Sequence, residues 1–270
     1  MVKKLLKHEF VYYIRTFGLF LPIVLVVGVM ARVFQCFDDS NRIIRIAIFS
    51  SSAMLYVSCA ALLILSVVIG IVRFYTNLYS AEGYLSFTLP VTNAEHIFVK
   101  LLVSLACQAV CMVTVSASFA IAFSGEKLAG FWNELTEFTV EFFDVFGTAD
   151  ALGILLEITL LTLISAATNM LLYYACITIG QTAKKHRILG AVGAYFGYYV
   201  ITQVISTLFV IVVTVMGASG ELDKTFEWIA YNPIEAVHTY LCTAIVLSAG
   251  VGALFWALTQ GIMSKKLNLE

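Results

Sequence analysis

Charge is scarce in this chain of 270 residues: charged residues make up 12% of it, while hydrophobic residues make up 61%. Soluble domains average about 25% charged residues, so this chain has too little charge to cover a water-facing surface. It contains only three prolines and no Pro- or Ser-rich linker. The net charge of −1 gives no indication of a nucleic-acid partner. We therefore expect one membrane-embedded domain over residues 1–270.

The chain also lacks the short motifs of nucleotide-binding and hydrolytic sites. It has no G-x-x-x-x-G-K-[ST] loop to hold phosphates, and no H-E-x-x-H or G-x-S-x-G motif. Its six cysteines follow no disulfide or zinc-site spacing. We expect that the chain is not an enzyme and binds no cofactor or metal of its own.

Long apolar runs are abundant, and six of them reach the roughly 20 residues that a membrane span requires. Within hydrocarbon every backbone polar group has to be satisfied inside the segment, so continuous runs of this length must be helices. The sequence predicts an all-α integral membrane fold with six spans, at about 17–35, 46–72, 99–123, 151–180, 188–217 and 239–263.

Basic residues predict the orientation, because Lys and Arg concentrate in cytoplasmic segments. With the N-terminus inside, eleven of the sixteen basic residues fall on the cytoplasmic side. The apolar run 17–31 is longer than a signal-peptide core and has no small-residue cleavage site after it. We expect a multi-pass protein of the plasma membrane with both termini in the cytoplasm.

Residues 1–16 have the pattern of a basic amphipathic helix ahead of the first span. At about 100° per residue, one side is apolar and the other carries Lys7 and His8. Glu9 interrupts this pattern, because it falls on the apolar side. The helix either anchors the chain among the lipid headgroups or acts as an elbow that contacts a cytoplasmic partner.

The segment 124–150 is predicted to lie outside the cell as an amphipathic helix over about 131–146. Its acids are spaced 3, 4 and 3 residues apart and form one stripe, while aromatic and aliphatic residues occupy the other face. This pattern indicates an interfacial helix with its apolar face in the outer leaflet. The acidic stripe is either a solvated face or a cation-binding surface. Its members are Glu134, Glu137, Glu141 and Asp144.

The connection 73–98 is the longest cytoplasmic one and is rich in aromatic residues. We expect a short helix over 74–82, a turn at Gly83, an extended stretch broken by Pro90, and a new helix from Thr92 or Asn93. Aromatic residues in such a loop serve either to dock another protein or to anchor the chain at the inner headgroups.

This loop resembles the cytoplasmic loop of type-2 ABC transporter permeases. The likeness rests on R-F-Y-x-N-L at 73–78 and E-G-Y-L-x-F-T-L-P-V at 82–91. Two weaker strings agree with it: L-L-K-H-E-F at 5–10 resembles the elbow of that family, and K-K-H-R-x-L-G at 184–190 its second cytoplasmic loop.

The resemblance implies two six-span permeases, each docked on a separate cytoplasmic ATPase that binds ATP and Mg. It implies a coupling helix at about Phe74–Gly83 and export of cargo. The residues implied in ATPase coupling are Arg73, Phe74, Tyr75, Tyr79, Glu82, Gly83 and Tyr84, with elbow contacts at Lys7, His8 and Glu9. The outer segments 124–150 and 218–238 are comparable in length, whereas many relatives have a longer one between the last two spans.

Polar residues inside the predicted spans are candidates for a pathway or for contacts between helices. Glu157 is an ionisable residue well inside a span; it either pairs with an outer basic group, reaches outward, or serves cargo or gating. Gln108, Asn169 and Gln203 are candidates for hydrogen bonds between helices or for lining a path. Close helix packing, within the chain or at a dimer seam, is predicted at Gly190, Gly193 and Gly197.

The largely apolar spans favour an amphipathic or hydrophobic cargo such as a peptide, drug or lipid. Two other classes stay open: an ATP-independent secondary transporter or channel, which would show inverted repeats or broken helices, and a membrane scaffold subunit.

Overall fold

The computed structural model describes residues 2–37, 41–80, 83, 91–183 and 186–265 of the chain. These residues form helices joined by short turns. The helices are α1 (Val2–Phe17), α2 (Phe20–Gln35), α3 (Arg42–Tyr79), α4 (Asn93–Ala122), α5 (Glu126–Phe146), α6 (Thr148–Gly180), α7 (Arg187–Ala218), α8 (Asp223–Tyr231) and α9 (Pro233–Lys265).

Six helical stretches are long and apolar enough to cross a membrane, and each overlaps one predicted span. Their most apolar windows have mean hydropathies between 1.9 and 2.7. One stretch runs from Lys3 to Gln35 through α1 and α2, and the others are α3, α4, α6, α7 and α9. The all-helical fold is thereby confirmed for the described residues, with six helices that could cross a membrane.

The third helix is longer than predicted. The sequence predicted a span that ends at 72 and a separate short helix from Phe74, but α3 continues without interruption through Tyr79. Its 38 residues extend over about 57 Å at 1.5 Å per residue, well beyond the roughly 30 Å of hydrocarbon. Residues 73–79 are thus the rigid end of a span. Glu82 and Tyr84 lie outside the described residues.

Pro22 lies at the start of a helix in the first span. A proline inside a helix ordinarily kinks it, but Pro22 is the third residue of α2, whose capping residue is Leu19. A proline is tolerated in the first turn, because the backbone N–H groups there have no partner within the helix. The break in the helix comes earlier, at the turn of Gly18 and Leu19 between α1 and α2.

Residues 1–140 form one compact unit. In it α2 packs against α3 and α4, and α1 packs against α4. Gly28 lets α2 approach α4 closely, because a Cβ there would come within 2.9 Å of the Ser118 carbonyl oxygen. The core between these helices includes Tyr13, Phe17, Val24, Leu55, Leu62 and Val103.

Residues 141–270 form a second compact unit, in which α6 packs against α9 and α7. Thr168 on α6 donates a hydrogen bond to the Ser248 carbonyl on α9 at 3.0 Å. Gly252 faces the same hydroxyl, since a Cβ there would lie 2.7 Å from it. Helix α7 has no buried side chain among its residues, so most of its surface is available to lipid or to another subunit.

The predicted packing glycines of α7 differ from one another. Gly190 lies against Gly180 at the end of α6, and a Cβ on Gly180 would fall 2.5 Å from the Ala191 backbone nitrogen. By contrast, a Cβ placed on Gly193 or Gly197 has no atom of the described residues within 4 Å, apart from the adjacent backbone of α7 itself. The close contact between α6 and α7 is therefore made by Gly180 and Gly190.

We predict that Gly180→Ala destabilises the protein. The added methyl group has to displace backbone atoms of Ala191 and Arg187, and overpacking of this kind costs about 1–3 kcal/mol. Thermal unfolding of the purified protein in detergent, followed by circular dichroism, should show a lower midpoint. Gly250→Ala is the matched control, because Gly250 is exposed and a Cβ there meets open space; its midpoint should be unchanged or slightly raised, because alanine favours helix. Equal midpoints for the two variants would contradict the packing described here.

Candidate functional site

Glu9 on α1 is buried to 2% exposure within the first unit. It lies on the same face as Leu5, Leu6 and Phe10, which pack against the hydrophobic core. A carboxylate in such surroundings costs several kcal/mol unless it is paired with a cation and hydrogen-bonded. The interruption in the amphipathic pattern of α1 is therefore a buried charge that needs partners.

Two cations from different helices supply those partners. Lys100 on α4 donates from Nζ to Glu9 Oε1 at 2.9 Å, and Arg73 on α3 donates from Nε to Glu9 Oε2 at 3.0 Å. The Lys100 and Arg73 side chains are only 4% and 14% exposed. The Arg73 guanidinium also lies 4.0 Å from the centre of the Tyr12 ring, within cation–π range. We refer to Glu9, Tyr12, Arg73 and Lys100 as the Glu9 cluster.

Local sequence fixes where α4 begins and hence where Lys100 lies. Thr92 caps the helix by accepting from the Glu95 backbone N–H at 3.3 Å, and the Glu95 carboxylate accepts from the Thr92 backbone N–H at 2.8 Å. This reciprocal capping box satisfies two donors that the first turn leaves without partners. Lys100 follows two turns later, with the buried His96 one turn before it.

The predicted coupling residues fall into an inward and an outward set. Phe74 is buried beside Arg73 on α3, and its ring meets the Tyr79 ring edge-on at 6.0 Å. Tyr75 and Tyr79 are both partly exposed at the end of the helix. Gly83 is buried and donates its backbone N–H to the Ser80 carbonyl at 2.8 Å.

The predicted elbow residues separate in the same way: Lys7 and His8 are exposed, while Glu9 is buried in the cluster. The exposed pair is thus on the side of α1 that a partner or the headgroups can reach. The charge-assisted hydrogen bonds of the cluster, which are roughly twice as strong as neutral ones, tie α1 to α3 and α4.

The sequence singles out Glu9 and Arg73 but not the ion pair between them, nor the ion pair of Glu9 with Lys100. Glu9 and Lys100 lie 91 positions apart, and Lys100 is only one of the eleven basic residues counted on the cytoplasmic side. One signal was present: a single acid on the otherwise apolar face of α1 requires a buried cation opposite it.

In the second unit Glu157 on α6 forms a pair with His238 on α9. The His238 Nδ1 lies 2.9 and 3.0 Å from the two carboxylate oxygens. Cys242, one turn further along α9, donates its thiol to Glu157 at 3.6 Å. Gly153 makes room for the imidazole, since a Cβ there would come within 3.2 Å of its Cε1. Glu157 thus has a basic partner on a neighbouring helix.

The other polar candidates do not join this pair. Asn169 donates to the Ser165 carbonyl of its own helix at 2.9 Å. Gln108 is half-buried and Gln203 is exposed. Next to Asn169, a hydrogen bond between helices is made instead by Thr168, which the sequence did not single out because threonine is common in such spans.

Among the described residues, no group of three or more His, Cys, Asp or Glu side chains is arranged to hold a metal ion. Comparison with family models, with curated proteins and with solved structures gives no match for this chain. The two charged clusters and the helical architecture are therefore the basis for any functional conclusion.

We predict that Glu9→Gln lowers stability strongly. The substitution removes the carboxylate charge that both Lys100 and Arg73 contact. Breaking a buried ion pair in this way costs about 3–5 kcal/mol. The midpoint of thermal unfolding in detergent should fall by several degrees. Glu137→Gln is the control: Glu137 is exposed on α5, so its variant should unfold like the wild type.

A double-mutant cycle then tests whether the two buried charges act together. Combining Glu9→Gln with Lys100→Met should cost less than the sum of the single changes, because each single change already breaks the same contact. Strictly additive effects would show that the two residues do not interact.

Proposed function

We propose that this chain is the transmembrane permease subunit of an ATP-driven ABC exporter. Six helices that can cross a membrane support a transport role, and the absence of a phosphate-binding loop requires that ATP be hydrolysed by another chain. The observation that carries the proposal is the Glu9 cluster. It links the elbow helix α1 to the ends of both helices that flank the loop resembling the coupling segment of type-2 permeases.

The architecture suits the transfer of a mechanical load. Because residues 73–79 are part of α3, a displacement at Tyr79 acts on a continuous helix and not on a flexible loop. Arg73 lies less than two turns from Tyr79 on the same helix and is bonded to Glu9, so α1 receives the same displacement. Lys100 extends the connection to α4. A partner that stabilises one position of the α3 end over another thus shifts three helices together.

The partners follow from this proposal. A separate cytoplasmic ATPase, holding ATP and Mg, contacts Lys7, His8 and the exposed parts of Tyr75 and Tyr79. A second permease packs against α7, where Gly193 and Gly197 leave room for another helix. The cargo is an amphipathic or hydrophobic peptide, drug or lipid, and α5 lies at the outer membrane surface with its acidic stripe in water. Both termini are cytoplasmic, in the plasma membrane.

A second candidate, an ATP-independent transporter, is favoured by one observation. The Glu157–His238 pair places a carboxylate and an imidazole within helices that can span the membrane, and such groups often belong to ion or proton pathways. The requirement for ATP distinguishes the two candidates. A scaffold subunit, the third class, would bind partners without moving cargo.

The native Cys36 gives a direct test of orientation. It is exposed at the end of α2, which the proposal places outside the cell. In a Cys242→Ser background, which removes another exposed thiol, a membrane-impermeant maleimide should label Cys36 on intact cells, and Cys36→Ser should abolish that labelling. In the Cys36→Ser background, Lys7→Cys should be labelled only after the membrane is permeabilised. The reverse pattern would refute the proposed topology.

The coupling role is tested with an ATPase subunit encoded beside this chain and carrying a Walker A motif. We expect the two to co-purify in detergent, and Tyr79→Ala to weaken the complex by at least about 10-fold, as removal of an aromatic anchor from an interface does. Tyr231→Ala is the matched control, because Tyr231 is 84% exposed on α8. Co-purification equal to wild type in Tyr79→Ala would contradict the coupling assignment. Passage of cargo into vesicles that contain this chain alone would refute the ATP-driven mechanism.

A further inference from the structure

An apolar cleft of about 900 Å³ lies between α4 and α5, within the unit of residues 1–140. Its walls are the last turns of α4 and the first two turns of α5, which are joined by the turn at Gly125. Gly125 has φ +95°, a conformation that glycine adopts without strain. Lining residues include Met112, Ser116, Phe119, Phe123, Phe131 and Trp132.

The surroundings of the cleft limit what can fill it. Helix α4 is one of the candidate spans, and Met112 and Val113 on the cleft wall are 57% and 69% exposed. In a bilayer such side chains meet hydrocarbon and not water. The volume lies within the roughly 300–1,000 Å³ of ordinary ligand sites. An acyl chain has the matching chemistry and is present at high concentration.

A cation lies at the turn that joins the two walls. Arg32 lies in the last turn of α2. Its guanidinium is close to Gly125, because a Cβ built on that glycine would lie 3.1 Å from Arg32 Nη2. Its side chain is half-buried, and no hydrogen bond or ion pair joins it to another described residue. A planar guanidinium at a membrane boundary matches a phosphate group in both charge and geometry.

We propose that this cleft and Arg32 together bind one phospholipid. An acyl chain occupies the space between α4 and α5, and the phosphodiester pairs with the Arg32 guanidinium across the Gly125 turn. The apolar cleft complements the acyl chain of a phospholipid, and the Arg32 guanidinium complements its phosphate. A neutral hydrophobic ligand would use the cleft but would gain nothing from the arginine. The proposal needs only the membrane location of the chain and does not depend on ATP-driven transport.

The experiment uses the purified full chain in detergent, exchanged with dioleoyl-phosphatidylglycerol and examined by native mass spectrometry. We expect one retained lipid per chain under detergent washing that removes loosely held lipid. Dioleoylglycerol, which has the same acyl chains without the phosphate, serves as the comparison probe. We expect its retention to be at least about 5-fold lower.

Two variants test the two halves of the site, each with a matched control. Ala120→Trp fills the cleft, since Ala120 lines it; Ala61→Trp adds the same bulk at an exposed position of α3. Arg32→Gln removes the cation, and Arg42→Gln removes an exposed one at the start of α3. Ala120→Trp and Arg32→Gln should each lower retention of the phospholipid by at least about 5-fold, while both controls should retain it.

Equal retention in all four variants would overturn the proposal, as would equal retention of the two probes. Loss in Ala120→Trp with full retention in Arg32→Gln would also overturn it, because the site would then hold an acyl chain and no phosphate. Helical content and the unfolding midpoint are measured for every variant. If Arg32→Gln does not fold, Arg32→Lys is used, because it keeps the charge. Phospholipid retention between the wild-type and Ala120→Trp values then supports the phosphate contact. Complete loss of phospholipid retention in Arg32→Lys overturns it.

Discussion

The burial of Glu9 is the constraint on which the first unit of this protein depends. A carboxylate at 2% exposure is stable only while two cations stay bonded to it, and those cations come from helices 64 and 91 residues further along the chain. The positions of α1, α3 and α4 are therefore linked by charge as well as by apolar packing. Helices held only by apolar packing can slide against each other, whereas the two hydrogen bonds to the Glu9 carboxylate would break if α1 slid against α3 or α4.

This constraint gives the proposed coupling a physical basis. Helices that meet only through apolar side chains shift against each other at little cost, particularly in lipid, where no hydrophobic driving force holds them together. The Glu9 cluster makes independent movement of α1 expensive. A load received near Tyr79 is thus shared by three helices. In the second unit, polar contacts likewise join two helices. The Thr168–Ser248 hydrogen bond and the Glu157–His238 pair both connect α6 to α9.

Much of the fold was predictable because a bilayer permits few structures. Length and apolar content alone located six spans, and the start of a helix at Thr92 or Asn93 was predicted, although the capping box that fixes it was not. The end of α3 was misplaced because Arg73 and the aromatics after it resemble a loop in composition, although they continue the helix. The partners of Glu9 and Glu157 could not be found from spacing, since they lie 64 to 91 residues away. The sequence indicated only that Glu9 needs a cationic partner, because it is an acid on an apolar helix face.

The length of α3 has a consequence for the environment in which this protein works. Its stretch without charged residues, 46–72, covers about 40 Å, which exceeds the roughly 30 Å of an average hydrocarbon layer. Such a mismatch is accommodated by tilting the helix or by thickening the bilayer around it. Arg73 comes directly after that stretch and is tied to α1 and, through Glu9, to α4. Changes in membrane thickness therefore alter the inclination of α3 and act on the same three helices that the charged cluster holds together.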